Sequence, residues 1–146
     1  MQPEAEPVRI ASDVSITMAF ACENFSTDPM QRQTYHNVID QLNALAFPVQ
    51  TQQLYVVFAF QRTIPGFLVQ CVVDILPPAG EPIRAQPVQD LAFRPDQMLQ
   101  RNIVAFFGMT WPTPGEYTVR FTSRGNVVAS FIIRLVQVQP PAQQMP

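Results

Sequence analysis

Lysine is absent from this sequence, and charged side chains of both signs are scarce. Only 14% of the 146 residues are charged, with nine arginines against eleven carboxylates and a net charge of -2. A typical globular domain has about 25% charged residues. Nucleic acids and anionic membranes both attract a clustered basic field, so we expect neither as a partner.

Side chains that carry catalysis or bind metals are equally scarce. His36 is the only histidine, and the two cysteines, Cys22 and Cys71, each lie within an apolar run. One histidine and two separated thiols make no plausible zinc site, and we interpret both cysteines as buried free thiols. The five glycines stand singly, so none forms a phosphate-binding loop. The sequence predicts a protein that is not an enzyme, with no cofactor and no bound metal.

Long apolar runs are also missing, since none approaches the roughly 20 residues that span a bilayer. The N-terminus is acidic and proline-rich, unlike a secretory signal, and we expect a cytoplasmic protein. The length is that of one domain. We predict an N-terminal tail at residues 1–12, one β-domain at 13–138, and a proline- and glutamine-rich tail at 139–146.

Alternation with a period of two residues predicts the β-strands. Even positions from Val14 to Cys22 are apolar, which is typical of a half-buried strand. Residues 54–60 and 67–76 flank a Pro-Gly turn and predict a hairpin. Residues 83–93 contain Pro87, which places that strand at a sheet edge. A second hairpin is predicted from residues 117–136, around Arg124-Gly125-Asn126.

These signals add up to about eight short strands and no amphipathic helix longer than two turns. The fold class is therefore predicted as all-β, a two-sheet antiparallel sandwich that is immunoglobulin-like or related.

The order of several segments also resembles a known family. The segments are Tyr35-His36-Asn37-Val38-Ile39-Asp40, then Phe47-Pro48, then Asn102-Ile103-Val104, and finally Pro114-Gly115-Glu116-Tyr117. Over residues 16–136 the chain is similar to an uncharacterised bacterial family of small β-sandwich domains, a domain of unknown function. The resemblance implies a bacterial source and a β-sandwich, and it brings no catalytic residues.

Two strands carry large apolar side chains at both parities, residues 54–60 and 103–111. When one face of each strand packs in the core, the apolar side chains of the other face are left exposed unless something covers them. An exposed apolar patch of this kind marks an interaction site. Low charge content favours association of such a patch. We assign four residues to the outward set: Tyr55, Val57, Val104 and Phe106.

The leading hypothesis is accordingly a non-catalytic interaction or assembly module that acts through a sheet face. Its partner is predicted to be another copy of the chain, in a homo-oligomer, or another protein. Two alternatives stay open at this point: the segment at residues 42–47 or a tail covers the patch within one chain, or the domain is a structural component of a virion or secretion apparatus.

A ligand-binding sandwich is the alternative function. A carbohydrate would stack on aromatic rings, for which the candidates are Phe106, Phe107 and Trp111. Core packing competes with this interpretation, because Phe107 and Trp111 share the parity of Met109. A calcium ion would take oxygen ligands from loops, for which the candidates are Glu23, Asp28 and Asp96.

Overall fold

The computed structural model describes residues 14–140, which form an all-β fold without a helix. Eleven strands occur in this part of the chain: β1 (Val14–Thr27), β2 (Gln33–Ile39), β3 (Gln41–Ala44), β4 (Val49–Arg62), β5 (Gly66–Leu68), β6 (Cys71–Leu76), β7 (Arg84–Val88), β8 (Leu91–Phe93), β9 (Leu99–Trp111), β10 (Gly115–Ser123) and β11 (Asn126–Gln137). One sheet has the order β2-β1-β4-β9 and the other the order β3-β11-β10-β6-β7, while β5 and β8 pair separately.

The predicted two-sheet sandwich is confirmed. Neighbouring strands are antiparallel, except that β3 runs parallel to β11. Strands are more numerous than the eight predicted, because residues 83–93 divide into β7 and β8, residues 67–76 divide into β5 and β6, and Gln41–Ala44 form the additional strand β3. At the second division Gln70 has a φ of 50°, which interrupts the extended backbone.

The predicted hairpin between residues 54–60 and 67–76 is wrong. β4 pairs with β1 and β9 within the first sheet, whereas β6 pairs with β10 and β7 in the second. A Pro-Gly turn marks a reversal of the chain but does not select the strand that pairs next. The chain uses this reversal to cross between sheets.

The core lies between the two large sheets. Phe58 and Phe60 of β4 meet Phe121 of β10 with ring centroids 5.5 and 4.8 Å apart, respectively. All three rings are fully buried, and burial of one such side chain stabilises a fold by about 1.5–3 kcal/mol. Contacts of this kind across the sandwich hold the first sheet in place and leave its other face toward the outside.

The predicted C-terminal hairpin is confirmed as β10 and β11. Arg124 and Gly125 connect the two strands with φ values of 50° and 80°, and two positive values are what a tight I′ turn requires. Tyr117 anchors the start of β10, because its hydroxyl donates to the carbonyl of Thr113 at 2.7 Å and accepts from the Thr113 amide at 3.2 Å.

Both predicted tails fall largely beyond the residues that the structure describes, since residues 1–13 and 141–146 are outside it. Cys22 and Cys71 are buried and free, as predicted. From residue 14 to residue 140, no helix has the length and apolar character needed to cross a membrane.

Candidate interaction surface

The outer face of the first sheet is apolar and buried, although it points away from the main core. Val57 and Ala59 of β4 and Cys22 of β1 have no exposed surface, yet none belongs to the main core cluster. Cys22 lies opposite Tyr55 in the β1–β4 register, so it shares the outer face with Val57 and Ala59. We call Cys22, Val57 and Ala59 the covered face.

The β1–β2 hairpin supplies the cover by folding back over the sheet. Phe25 lies opposite Tyr35 in the hairpin register, and Phe20 precedes Phe25 by five residues. In a straight hairpin Phe20 and Tyr35 would lie about 17 Å apart, at about 3.3 Å per residue. Their ring centroids are only 4.8 Å apart. We call residues 24–36, which lie over the covered face, the cover hairpin.

Two further contacts hold the cover hairpin against the sheet. The rings of Phe25 and Tyr55 meet edge to face at 5.1 Å. Arg101 of β9 donates from Nη1 to Oε1 of Gln33 at 2.7 Å, and the Tyr35 hydroxyl donates to the same oxygen. Burial raises the pKa of the Tyr35 phenol, so Tyr35 keeps its proton for this bond at neutral pH.

The hairpin bends where Glu23 faces Asn37. Asn37 has a φ of 56°, a left-handed conformation that asparagine tolerates better than most residues. Its Nδ2 donates to Oε2 of Glu23 at 2.9 Å, and Nε2 of Gln53 donates to the Glu23 carbonyl at 3.1 Å. These side-chain bonds fix the bend that directs the cover hairpin back across the sheet.

The four residues predicted to face outward differ in their actual positions. Tyr55 lies on the outer face and is half-buried, and Val57 lies on that face but has no exposed surface. Val104 and Phe106 are only 3% and 1% exposed and belong to the main core. The prediction that Val57, Val104 and Phe106 form an exposed patch is therefore wrong.

The alternation of β9 changes phase at Gly108, which explains the error for this strand. Val104 and Phe106 point into the core before this residue, and Met109 and Trp111 do so after it. Gly108 has a φ of 61°, which departs from extended geometry and is open to glycine. A single glycine within a strand pattern is the sequence signal for such an irregularity.

The cover is not residues 42–47, one of the covers considered from the sequence, and the other, a tail, falls largely outside the described residues. Leu42 and Phe47 pack against the main core instead. After the cover hairpin is in place, Phe107 is the large apolar residue of β9 that stays most exposed, at 58%. Its ring meets that of Tyr55 edge to face at 6.3 Å.

The outer edge of β9 is unpaired in the described part of the chain, because β9 is the last strand of its sheet. The amide of Arg62 bonds to the carbonyl of Met98 at 3.0 Å, and Gln61 lies opposite Leu99. Hydrogen-bonded pairs alternate along an antiparallel ladder, so even-numbered residues of β9 bond to β4. Five odd-numbered residues of β9 before Gly108 direct their N–H and C=O groups away from β4: Leu99, Arg101, Ile103, Ala105 and Phe107.

A shallow groove of about 290 Å³ runs beside this edge, between β9 and residues 86–89 at β7. Arg84 of β7 reaches across and donates from Nη2 to the carbonyl of Phe107, which agrees with the outward direction of that carbonyl. Oδ1 of Asn102 is buried beside the groove and accepts no hydrogen bond from the described residues. Between Arg84 and the start of β9, the strand therefore has a stretch of backbone groups that no other described strand pairs.

The aromatic candidates for carbohydrate stacking are mostly inaccessible. Phe106 and Trp111 are buried, and Nε1 of Trp111 donates to Thr51 at 3.0 Å. A depression of about 570 Å³ beside the bend has the amides and carboxylate that a polyol would need, and it is lined by Glu23, Ile39, Leu42, Thr51, Gln52 and Gln53. No aromatic side chain from residues 14–140 lines it, so these residues do not give it the stacking surface expected of a carbohydrate site.

The candidate calcium ligands do not come together. Among the described residues, no group of three or more histidine, cysteine or acidic side chains is arranged to hold a metal. Asp28 instead closes the tip of the cover hairpin, where it accepts from the amides of Met30 and Arg32 at 2.9 Å. The Arg32 amide bond is the main cause that lowers the pKa of Asp28. His36 lies 3.3 Å from the hydroxyl of Ser26, and both are exposed.

The fold and this surface define a small β-sandwich in which no described strand pairs the long outer edge of β9. The chain belongs to DUF6941, a family of unknown function whose model matches residues 17–136. The expected relationship to an uncharacterised family is thereby confirmed. No curated protein matches the sequence.

The chain is also similar to several solved structures. A β-glucosidase from Listeria innocua in complex with isofagomine is 12% identical over 87% of this chain and 16% of its own, with a TM-score of 0.43. The β-glucosidase from Listeria innocua in complex with glucose is 14% identical over 84% of this chain and 17% of its own, with a TM-score of 0.38. An immunoglobulin-like protein from Pseudomonas aeruginosa is 12% identical over 85% of this chain and 97% of its own, also with a TM-score of 0.38. The chain spans about a sixth of the glucosidase.

The two thiols are expected to respond differently when the cover hairpin is loosened. Burial raises the pKa of both Cys22 and Cys71, so both should react slowly with a maleimide in the native protein. Tyr35→Ala removes the ring contact with Phe20, and we expect it to speed labelling of Cys22 while Cys71 stays slow. Peptide mapping by mass spectrometry measures each site.

Met30→Ala is the matched control for this experiment, because Met30 lies at the tip of the same hairpin and is 74% exposed. It should leave both labelling rates unchanged. Acceleration at Cys71 as large as that at Cys22 would mean that Tyr35→Ala loosens the whole domain, and that the hairpin is not a separate cover.

Proposed function

We propose that this protein is a non-catalytic interaction module whose contact surface is the outer edge of β9 with Phe107 beside it. The observation that carries the proposal is the length of this open edge, since β9 has 13 residues and no described strand pairs its outer side. An unpaired strand edge is a ready template for a strand of another chain. The sequence predicted a contact through the face of a sheet. We propose instead that the edge of that sheet makes the contact.

The composition of β9 supports this role. Edge strands are commonly protected by lysine, proline or inward charges, and β7 follows this rule through Pro87. β9 has no proline or lysine, and Arg101 is its only charged residue. The exposed ring of Phe107 adds an apolar anchor of the kind that is enriched at interfaces.

The absence of catalysis is part of the same proposal. His36 and Ser26 form an exposed pair, whereas a hydrolytic triad needs a third group that orients the histidine. A cytoplasmic location is also proposed, because Cys22 and Cys71 are free thiols and reducing compartments keep thiols in that state.

Site-specific photo-crosslinking in the native host tests the proposal. Benzoylphenylalanine in place of Phe107 should form an adduct with a polypeptide, and the additional change Ala105→Pro should abolish it. Benzoylphenylalanine at Ile132, which is 46% exposed on the opposite sheet, is the matched control and should form none. Adducts from Ile132 alone, or adducts from Phe107 that persist with Ala105→Pro, would place the contact elsewhere.

A further inference from the structure

The chain enters the first sheet at the end where β9 begins. Val14, the first residue of β1, lies opposite Arg62 of β4, and the amide of Arg62 bonds to the carbonyl of Met98 just before β9. β1, β4 and β9 are neighbours in that order, so the outer side of β9 lies about 14 Å from Val14, at about 4.8 Å per strand. Residues 9–13 are long enough to cross that distance, because the six steps from residue 8 to Val14 span about 20 Å.

We propose that residues 2–8 of the same chain, outside its described part, pair antiparallel with the outer edge of β9 and compete there with the strand of a partner. This inference rests on the proposed function and names the regulation of the same surface. Residue 8 is nearest to Val14 and reaches the start of β9 first, so a segment that continues along the edge runs antiparallel to β9. We call residues 2–8 the N-terminal segment.

The two prolines of the N-terminal segment restrict its register. Pro3 and Pro7 have no amide hydrogen to donate, and they are four positions apart. Every second residue of an antiparallel ladder bonds to a given neighbour, so both prolines belong to one set and the even-numbered residues to the other. The even-numbered residues therefore bond to β9. Proline on the outer side is tolerated in an edge strand, and it protects the new edge from further pairing.

The side chains select one of the registers that remain. Arg101 is the only charged residue of β9, and Glu6 opposite Arg101 makes a cross-strand pair of opposite charge. Val8 is then opposite Leu99, which is 49% exposed, so two apolar side chains meet. A shift of two residues in either direction places Glu6 opposite an apolar residue, Leu99 or Ile103, and loses the charge pair.

Arg101 is well placed for this pair. Its side chain is exposed, and Nη1 donates to Oε1 of Gln33 at 2.7 Å. A guanidinium has five N–H donors, so Arg101 keeps this bond while it also donates to Glu6. Because Gln33 already orients the guanidinium, less side-chain entropy is lost when Glu6 binds.

The groove beside β9 accommodates the other side of the N-terminal segment. In this register Ala5 is opposite Asn102 and Pro3 is opposite Val104. Asn102 and Val104 both line the groove of about 290 Å³ that separates β9 from residues 86–89. Side chains at directly opposite positions share one face of a sheet, so Pro3 and Ala5 are placed at this groove. Both side chains are small and apolar, which suits a shallow depression.

Hydrogen exchange on the full chain tests the pairing. The amides of Arg101, Ile103 and Ala105 point away from β4, and pairing should slow their exchange by at least about tenfold relative to free peptide amides. Glu4→Pro removes a donor that points to β9, and we expect it to accelerate their exchange by at least about tenfold. Ala5→Pro is the matched control, because the nitrogen of residue 5 points away from β9, and it should leave the exchange unchanged.

A disulfide tests the register independently of the proline variants. In a hydrogen-bonded antiparallel pair the Cα atoms lie about 5.5 Å apart, within the range of about 4.4–6.8 Å that a disulfide bridges. Gln2→Cys with Ala105→Cys should therefore oxidise to a bond within one chain. Gln2→Cys with Ile103→Cys is offset by two positions and should form this bond at least about tenfold more slowly. Non-reducing peptide mapping measures both.

Partner capture tests the competition. Benzoylphenylalanine at Phe107 should capture a different polypeptide more efficiently when Glu4→Pro is also present, because the edge of β9 is then open to the partner. Ala5→Pro should leave the capture unchanged. Equal capture with Glu4→Pro and Ala5→Pro would overturn the competition, even where exchange shows that the segment is paired.

The outcomes separate this inference from the proposed function. Amides that exchange as in a free peptide, with no preference for the Ala105→Cys disulfide, overturn the pairing, while adducts from Phe107 to a different polypeptide still support the contact surface. Protected amides and the expected disulfide, without such an adduct in any variant, leave the pairing in place and overturn the proposed function together with its regulation. A disulfide that links two chains overturns pairing within one chain.

Discussion

Phe106→Glu is expected to unfold this domain, whereas the same change one residue later, Phe107→Glu, should leave it folded. Phe106 is 1% exposed in the main core, and loss of a buried phenylalanine side chain costs about 3–5 kcal/mol. The introduced carboxylate would also be buried without a partner, which adds a large desolvation penalty. Together these costs approach the whole stability of a typical domain, about 5–15 kcal/mol.

Phe107 provides the matched control, because it is the same residue type on the same strand and is 58% exposed. Its replacement should change the free energy of unfolding by about 0.5 kcal/mol or less. Urea unfolding followed by the fluorescence of Trp111, the only tryptophan, measures both variants. A folded Phe106→Glu protein would show that Phe106 faces outward, and that the inward orientation described above is incorrect.

The parts of the fold that sequence could predict are those set by local chemistry. The β10–β11 hairpin follows from a turn that needs positive φ at Arg124 and Gly125. The edge position of β7 follows from Pro87, which has no amide to donate to a second neighbour, and β7 does lie at the end of its sheet.

The orientation of β1 could not be predicted in the same way. Even positions such as Phe20 and Cys22 are apolar, but the main core receives Ala19 and Ala21 instead. A register irregularity follows Ile16, and Phe20 and Cys22 then face the cover hairpin. Alternation defines two faces of a strand, and only long-range packing decides which face meets the core. No local signal reports that residues 24–36 return to cover the other face.

Only part of the candidate contact surface could be predicted from the sequence. Residues 103–111 have the pattern of a strand with apolar side chains on both faces, and Gly108 is the local sign that its alternation changes phase. The open edge of β9 depends on the order of strands in the sheet. Pairing between strands distant in sequence determines that order, so no pattern within residues 103–111 could indicate it.

Arg120→Met is expected to destabilise the domain by about 3–5 kcal/mol, because it leaves a buried carboxylate without its partner. Arg120 and Asp74 lie opposite each other on β10 and β6. Nε of Arg120 donates to Oδ1 at 2.9 Å, and Nη2 donates to Oδ2 at 2.6 Å. Asp74 is only 7% exposed, so water cannot replace the lost bonds fully.

The hydrogen bonds to Asp74 raise the pKa of Arg120. A raised folded-state pKa contributes stability below the unfolded pKa and loses it only as the pH rises through the folded value. The effect of Arg120→Met should therefore be undiminished at neutral and mildly alkaline pH. Thermal and urea unfolding at several pH values in that range measure it.

A double variant separates the cost of an unpaired charge from the loss of packing. Arg120→Met with Asp74→Leu removes both charges, and well-packed apolar replacements of a buried ion pair are often neutral or stabilising. Most of the lost stability should therefore return. Arg134→Met is the surface control, because Arg134 lies 3.9 Å from Glu116 with both side chains exposed, and such pairs contribute about 0–1 kcal/mol. Equal losses for Arg120→Met and Arg134→Met, or no recovery in the double variant, would mean that the Asp74 carboxylate is solvated and the pair has no special role in stability.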